Sequence, residues 1–539
     1  MTNVAQKAIE LSRAVFELRE VCLHSASGWA AEQLKGLGES DECRQGRITG
    51  AREARQNSEL DPKFLLARQY FEEKEYQKAA RCLSGVYGRK SVFLRCYALF
   101  IAGQKGREDE MAESHCQLLD QSQVQNAHLV NLEKEICQQL QNHPTEPFLL
   151  YVYGLVLSDR QRNEEARAAF VKSVTGYPCN WSGWQALHEL CPSLDIVDSL
   201  RIPNHWMNNF FFAHLSVELK QPQDGLLRLQ QISTVFPTSA FVLSECASTH
   251  YNLRNFDISQ SLFEDLLEQD PYRLEGIDAY SNILYVKELS AELSHLAHKA
   301  MSIDKYRPET CCIVGNYYSL KCLHHKALQY FQRALKLDPK FLSAWTLMGH
   351  EYIEIRNYPA AIDAYRRGAD MDSKDFQSWY GLGQAYEMME MPSFALYYFR
   401  KAANLQPDDA RMWNAMGICY QKESINKPNA AIKCFQRALS AGDLEGISVN
   451  FLARLYQKSG QMDEAAHYYE LLFKRLDDQH MGGKDMVEAL TFLAENYMTS
   501  RQYKKAERCC TRLMDLGGPE REKAKQLMRY MGRSFLGQV

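Results

Sequence analysis

The stretch 378–407, SWYGLGQAYEMMEMPSFALYYFRKAANLQP, decides the fold. It sets Trp379, Leu382, Gly383 and Tyr386 in the spacing W-x2-L-G-x2-Y, then Ala395, Phe399 and Ala402 in A-x3-F-x2-A, and closes on Pro407. The aromatic and aliphatic positions recur at i, i+3, i+4 and i+7, one face of an α-helix. Small residues at Gly383 and Ala395 allow two antiparallel helices to approach closely. The same spacing recurs one period earlier on Trp345, Met348, Gly349, Tyr352, Ala361 and Tyr365. A second period back it falls on Cys311, Val314, Gly315, Tyr318, Ala327, Phe331, Ala334 and Pro339.

A period of about 34 residues with this filling is the tetratricopeptide repeat, so the expected fold is all-α, a superhelical solenoid of helical hairpins. Pro237 and Pro271 keep the same frame, as do Trp413, Met416, Gly417 and Tyr420. Ala431, Phe435 and Ala438 arrive two residues late, which lengthens the turn around Ser424 to Pro428. Weaker units sit on Ala247 and Phe263, Leu293 and Ala297, Ala453 and Tyr469, Ala494 and Ala506, Ala67 and Ala79, and Gly154 and Phe170, giving about twelve in all. The organisation expected is an N-terminal helical element over 1–35, a polar linker over 36–62, and N-terminal repeats over 63–200 with an off-register helical pair over 102–147. Central repeats in register follow over 201–440, and C-terminal repeats over 441–539.

Composition agrees with long helices and few turns. Gly and Pro number 29 and 16 in 539 residues, together well below their average usage. A net charge of -4 supplies no field to attract nucleic acid or an anionic membrane, so neither is expected as a partner. The first twenty residues mix Lys, Arg and Glu without a signal-peptide core, and the apolar run Leu149–Leu157 is too short to span a bilayer; a soluble intracellular protein is expected. Sixteen cysteines in that setting stay reduced, and Cys311-Cys312 and Cys509-Cys510 read as buried thiols on helices.

No catalytic motif survives inspection. Gly381-Leu-Gly383 lacks the third glycine of a dinucleotide fingerprint and follows no strand, and His350-Glu351 lacks the second His of a zinc-protease helix. His295, His298, His324 and His325 have no partners at ligand spacing. No enzyme activity, metal or cofactor is expected. What remains is the face of each first helix at repeat positions 2, 5, 9 and 12. It carries Glu309, Cys312, Asn316 and Ser319, then Ser343, Thr346, His350 and Ile353, then Gln377, Tyr380, Gln384 and Glu387, with Glu351 and Glu354 alongside. This acidic and amide set suits an Arg-bearing extended peptide, because a guanidinium fork is satisfied by carboxylates and amides. The bland alternative is a set of solvated helix faces. A clamp for a terminal carboxylate needs Lys or Arg on this face, and Cys312 stands where such a Lys would precede Asn316.

Residues 269–321, QDPYRLEGIDAYSNILYVKELSAELSHLAHKAMSIDKYRPETCCIVGNYYSLK, with 330–352 and 378–402, closely resemble the family of anaphase-promoting complex subunit 8, also called cell division cycle protein 23. CLHSASGWAAEQL (22–34) and HWMNNFFFAHLSVEL (205–219) are similar to that family's opening and mid-chain segments. The resemblance implies a non-catalytic scaffold of a ubiquitin ligase acting in mitosis, in nucleus and cytoplasm. It further implies a homodimer through the N-terminal repeats, contact with other subunits of the complex, and a C-terminal groove that receives an Arg-containing motif of a coactivator. By that resemblance the groove residues are Asn316, Glu351 and Tyr380, with Glu309, His350 and Glu387. Another repeat subunit of the same complex, or a cytosolic repeat adaptor or co-chaperone, is the alternative.

Overall fold

The structure, a computed structural model, describes residues 4–38, 41–56, 61–113, 126–191, 196–197, 200, 202, 204–219, 221–443, 446–478, 483–516, 521–522 and 524–529. Among the described residues the regular structure is helical and no strand occurs. Contacts divide the chain into two compact units, 1–283 and 284–539.

The second unit is built from the repeat. Hairpins pair Pro308–Leu320 with His324–Leu337, Leu342–Glu354 with Tyr358–Met371, Phe376–Met388 with Pro392–Leu405, and Ala410–Gln421 with Pro428–Ser440. A methyl group on Gly315, Gly349, Gly383 or Gly417 would stand within 2.4 to 2.6 Å of the ring of Phe331, Tyr365, Phe399 or Phe435 respectively. Each glycine is therefore the floor on which its hairpin's aromatic ring lies. Pro308, Pro392 and Pro428 open their helices, where the missing N–H costs nothing. Asp375 and Asp409 cap the next helices through the backbone N–H groups of Gln377 and Arg411. The indoles lock the entry turns, Trp345 Nε1 donating to Pro339 O at 3.1 Å and Trp413 Nε1 to Pro407 O at 2.7 Å.

The first unit departs from that plan at its start. Helices α1 (Val4–Glu20), α2 (His24–Gly36) and α3 (Asp41–Gln56) precede the first repeat hairpin, Pro62–Glu72 with Tyr76–Cys82. The polar linker expected over 36–62 is thus corrected, since most of it is α3. Polar composition hides a stripe of small residues, Cys43, Gly46, Gly50 and Ala54, all buried against α1. A methyl on Gly46 would stand 2.8 Å from Ala5 O and one on Gly50 2.4 Å from Ile9 O, so the two backbones are nearly in contact. Arg47 ties the ends by donating to Leu34 O at 3.1 Å and Gly38 O at 2.9 Å. Within 102–147, Arg89–Glu113 is a single 25-residue helix and Leu129–Asn142 a second; 114–125 lie outside the described residues.

Trp29 of α2 is buried, stacked on Trp181 with centroids 4.6 Å apart and met edge-on by Phe210 and Phe241. The ring is therefore consumed inside its own unit and is no reason to expect a dimer. Polar contacts follow the same long-range pattern. Lys90 meets Glu20 at 2.8 Å, Tyr177 donates to Glu17 at 2.9 Å, Ser239 donates to Gln33 at 2.7 Å, and Arg273 meets Glu32 at 3.0 Å.

Candidate functional site

The first helices of three successive hairpins in the second unit position the residues singled out from sequence. They do not all present them alike. Cys312, Asn316, Ser319 and Thr346 are buried, Glu309, Tyr380, Gln384 and Glu387 are half-buried, and His350 and Gln377 are exposed. Positions 5 and 9 of the first of these hairpins therefore face a neighbouring helix more than solvent, where the sequence pattern alone had them lining an open face.

Glu351 is the sharpest case, with 4% of its surface exposed. Its carboxylate accepts from the Ser319 hydroxyl and lies 2.9 Å from His324 Nδ1. Ser319 Oγ is in turn 3.3 Å from the Tyr285 hydroxyl. A buried carboxylate is stable only when hydrogen-bonded, and these partners, drawn from the preceding hairpin, satisfy it. Glu351 thus clips two hairpins together beneath the face.

Glu387 is different. Burial raises its pKa, and Lys422 Nζ, 3.8 Å away, opposes that shift only in part. It is a carboxylate whose charged form gains from a further cation. Tyr380 rests on Phe399 with centroids 5.4 Å apart, so its ring is fixed by the hairpin core. The Tyr365 hydroxyl lies 2.8 Å from His350 Nδ1, within hydrogen-bond distance. Sequence reading missed Tyr365 and His324 as neighbours of the site. Tyr365 was detectable, because Phe331, Phe399 and Phe435 fill the same repeat position; His324 offered no such signal. Among the described residues no cluster of three His, Cys, Asp or Glu side chains is placed to hold a metal, and no helix is long and apolar enough to cross a membrane.

Stacked helical hairpins with a polar first-helix face define a tetratricopeptide-repeat protein, and models of that repeat match residues 308–341, 346–410 and 448–479. The family model described as anaphase promoting complex subunit 8 / Cdc23 matches residues 6–247. The chain is 46% identical to anaphase-promoting complex subunit 8 of Arabidopsis thaliana, over 96% of this chain and 95% of that one. It is 42% identical to the protein of the same name from Dictyostelium discoideum, over 98% of both. The chain belongs to the anaphase-promoting complex subunit 8 / Cdc23 family. A chain of the crystal structure of the APC/C hetero-tetramer Cut9-Hcn1 shares the fold, with a TM-score of 0.59 at 17% identity and coverage of 98% and 99%.

Proposed function

We propose that the chain is a non-catalytic scaffold subunit of the anaphase-promoting complex, a ubiquitin ligase of the cell cycle, working in nucleus and cytoplasm. It assembles with other subunits of that complex and with a second copy of itself. Near-full-length similarity to proteins named as subunit 8 carries this reading. Recovery of a cullin and a RING subunit with the tagged full chain is the expected result, and a chain purified free of both sinks it. The homodimer is tested by sedimentation of the full chain, a monomer at micromolar concentration counting against it.

The finer role is to receive an Arg-containing segment of a coactivator on the first-helix face of the second unit. Glu387 supports this most directly, as a half-buried carboxylate that a guanidinium would relieve. Tyr380, Glu309 and Asn316 flank it on the same row of helices, His350 lies on the hairpin between, and Glu351 holds the row from beneath. The probe is the tightest binder from an array of Arg-centred nonapeptides, measured on the full chain. Glu387→Gln is expected to weaken it about tenfold, as for loss of one charge-assisted bond. Equal binding of Arg-centred and Lys-centred peptides, or no effect of the substitution, defeats the reading.

A further inference from the structure

Tyr365 is fully buried on helix Tyr358–Met371, its ring held between Gly349 and Gly381, where a methyl on either would stand within 2.5 Å of it. At the same repeat position the flanking hairpins place Phe331 and Phe399, and the next one Phe435, all fully buried. A hydroxyl added at such a position costs free energy unless it is hydrogen-bonded. Its bond goes to His350 Nδ1, at 2.8 Å, with the rings near perpendicular at 72°. Donation by the hydroxyl gives its proton a partner, and an imidazole nitrogen that accepts carries no hydrogen. The ring proton then resides on Nε2.

We infer that Tyr365 is a positioning residue that fixes His350 as an N–H donor, so that His350 receives a backbone carbonyl of a bound extended peptide while carboxylates of the same face take its Arg side chain. The inference rests on the reading of this face as a peptide site given above. It reassigns His350 within that site: a neutral imidazole protonated on Nε2 has no free acceptor, and guanidinium has only donors to offer, so His350 cannot take the Arg. Although His350 is exposed as a residue, desolvation by the surrounding protein lowers its pKa to about 4 against the pull of Asp375, which keeps it neutral at physiological pH. One hairpin after, the half-buried Gln384 occupies the same repeat position, and its amide shares with His350 the capacity to donate to carbonyls.

Two measurements on the full chain test this. The first needs no peptide: ¹⁵N chemical shifts of the histidine ring nitrogens, with His350 assigned by its loss in His350→Gln. The wild type should show a bare Nδ1 and a protonated Nε2, and Tyr365→Phe a mixture of both tautomers. Phe is what the neighbouring hairpins carry there, so this variant should fold. Protonation of Nδ1 in the wild type overturns the inference. The second uses the Arg-centred peptide selected above. Tyr365→Phe should weaken it three- to tenfold, about the effect of one misdirected hydrogen bond, and an ester replacing one peptide amide next to the contacted carbonyl should abolish the difference between wild type and variant. Equal affinity of wild type and Tyr365→Phe, with the peptide still binding and still sensitive to Glu387→Gln, overturns the role of His350 and leaves the peptide site standing. Failure of every Arg-centred peptide to bind overturns the site and with it the carbonyl contact, whatever the tautomer.

Discussion

The two units solve the same problem differently. In the second, each hairpin rests on the ones beside it, and Gly349 meets Tyr365, or Gly383 meets Phe399, within a single hairpin. In the first, α1 and α2 bond to residues spread from Lys90 to Arg273, so one N-terminal element serves as core to many repeats. A ladder of neighbours loses stability locally when a rung is damaged. An element shared by distant segments couples them.

Trp29→Ala is the largest expected break. It removes a stacked indole and leaves a cavity, a loss of about 3–5 kcal/mol, and should raise hydrogen exchange together around Trp181, Phe210 and Phe241. Faster exchange confined to 24–36 would show that the distant segments do not depend on it. Gly383→Val is the matching break in the second unit. A branched side chain there collides with Phe399 and should cost about 1–3 kcal/mol as overpacking, with exchange rising only in 376–405 and the hairpins beside it. Propagation of that effect to α1–α3 would erase the contrast.

A smaller effect separates the units by pH. Burial would raise the pKa of Glu10, but hydrogen bonds from His205 and Trp206, with Gln6, outweigh it and hold it at about 2 against an ordinary 4.5. The folded value lies below the unfolded one, so this carboxylate contributes stability that is complete above pH 4.5 and is lost as pH falls towards 2. The contribution is about 1–2 kcal/mol after allowance for its partial exposure. Glu10→Gln should therefore flatten the acid limb of unfolding followed in the first unit and leave the second unit's limb unchanged; an unaltered first-unit limb refutes the assignment.

How much of this could be read in advance follows the same division. Gly315, Gly349, Gly383 and Gly417 and the rings above them repeat, so both their existence and their reason were legible. Helix α3 was not, because its packing surface is glycine, which isolated-helix propensity counts as unfavourable by about 1 kcal/mol and which only a partner backbone makes useful. Glu351 was legible as a residue of the site but not as a buried one: Ser319 and His324 lie on the preceding hairpin, and a carboxylate by itself reads as surface. The docking of α2 on Trp181, Ser239 and Arg273 leaves no periodic trace at all, since each partner occurs once.

The smallest prediction uses the turns. Glu288, Cys322, Arg356 and Glu390 end their first helices with φ between 57° and 64°, whereas Gly460 stands at 80° in a later hairpin. This left-handed conformation costs a non-glycine residue about 1 kcal/mol. Glu390 is exposed. Glu390→Gly should therefore relieve the strain at the expense only of unfolded-chain entropy, and stabilise by about 0.5 kcal/mol. In the first unit Cys22 has the same backbone, φ 61°, but its side chain is buried in the core that α1 and α2 share. There the same substitution strips packing from several segments at once, and Cys22→Gly should destabilise by about 1 kcal/mol. Thermal melts of the two variants should thus move in opposite directions. If both move upward, backbone strain governs these turns everywhere, and the burial of Cys22 contributes less than its place in the first unit implies.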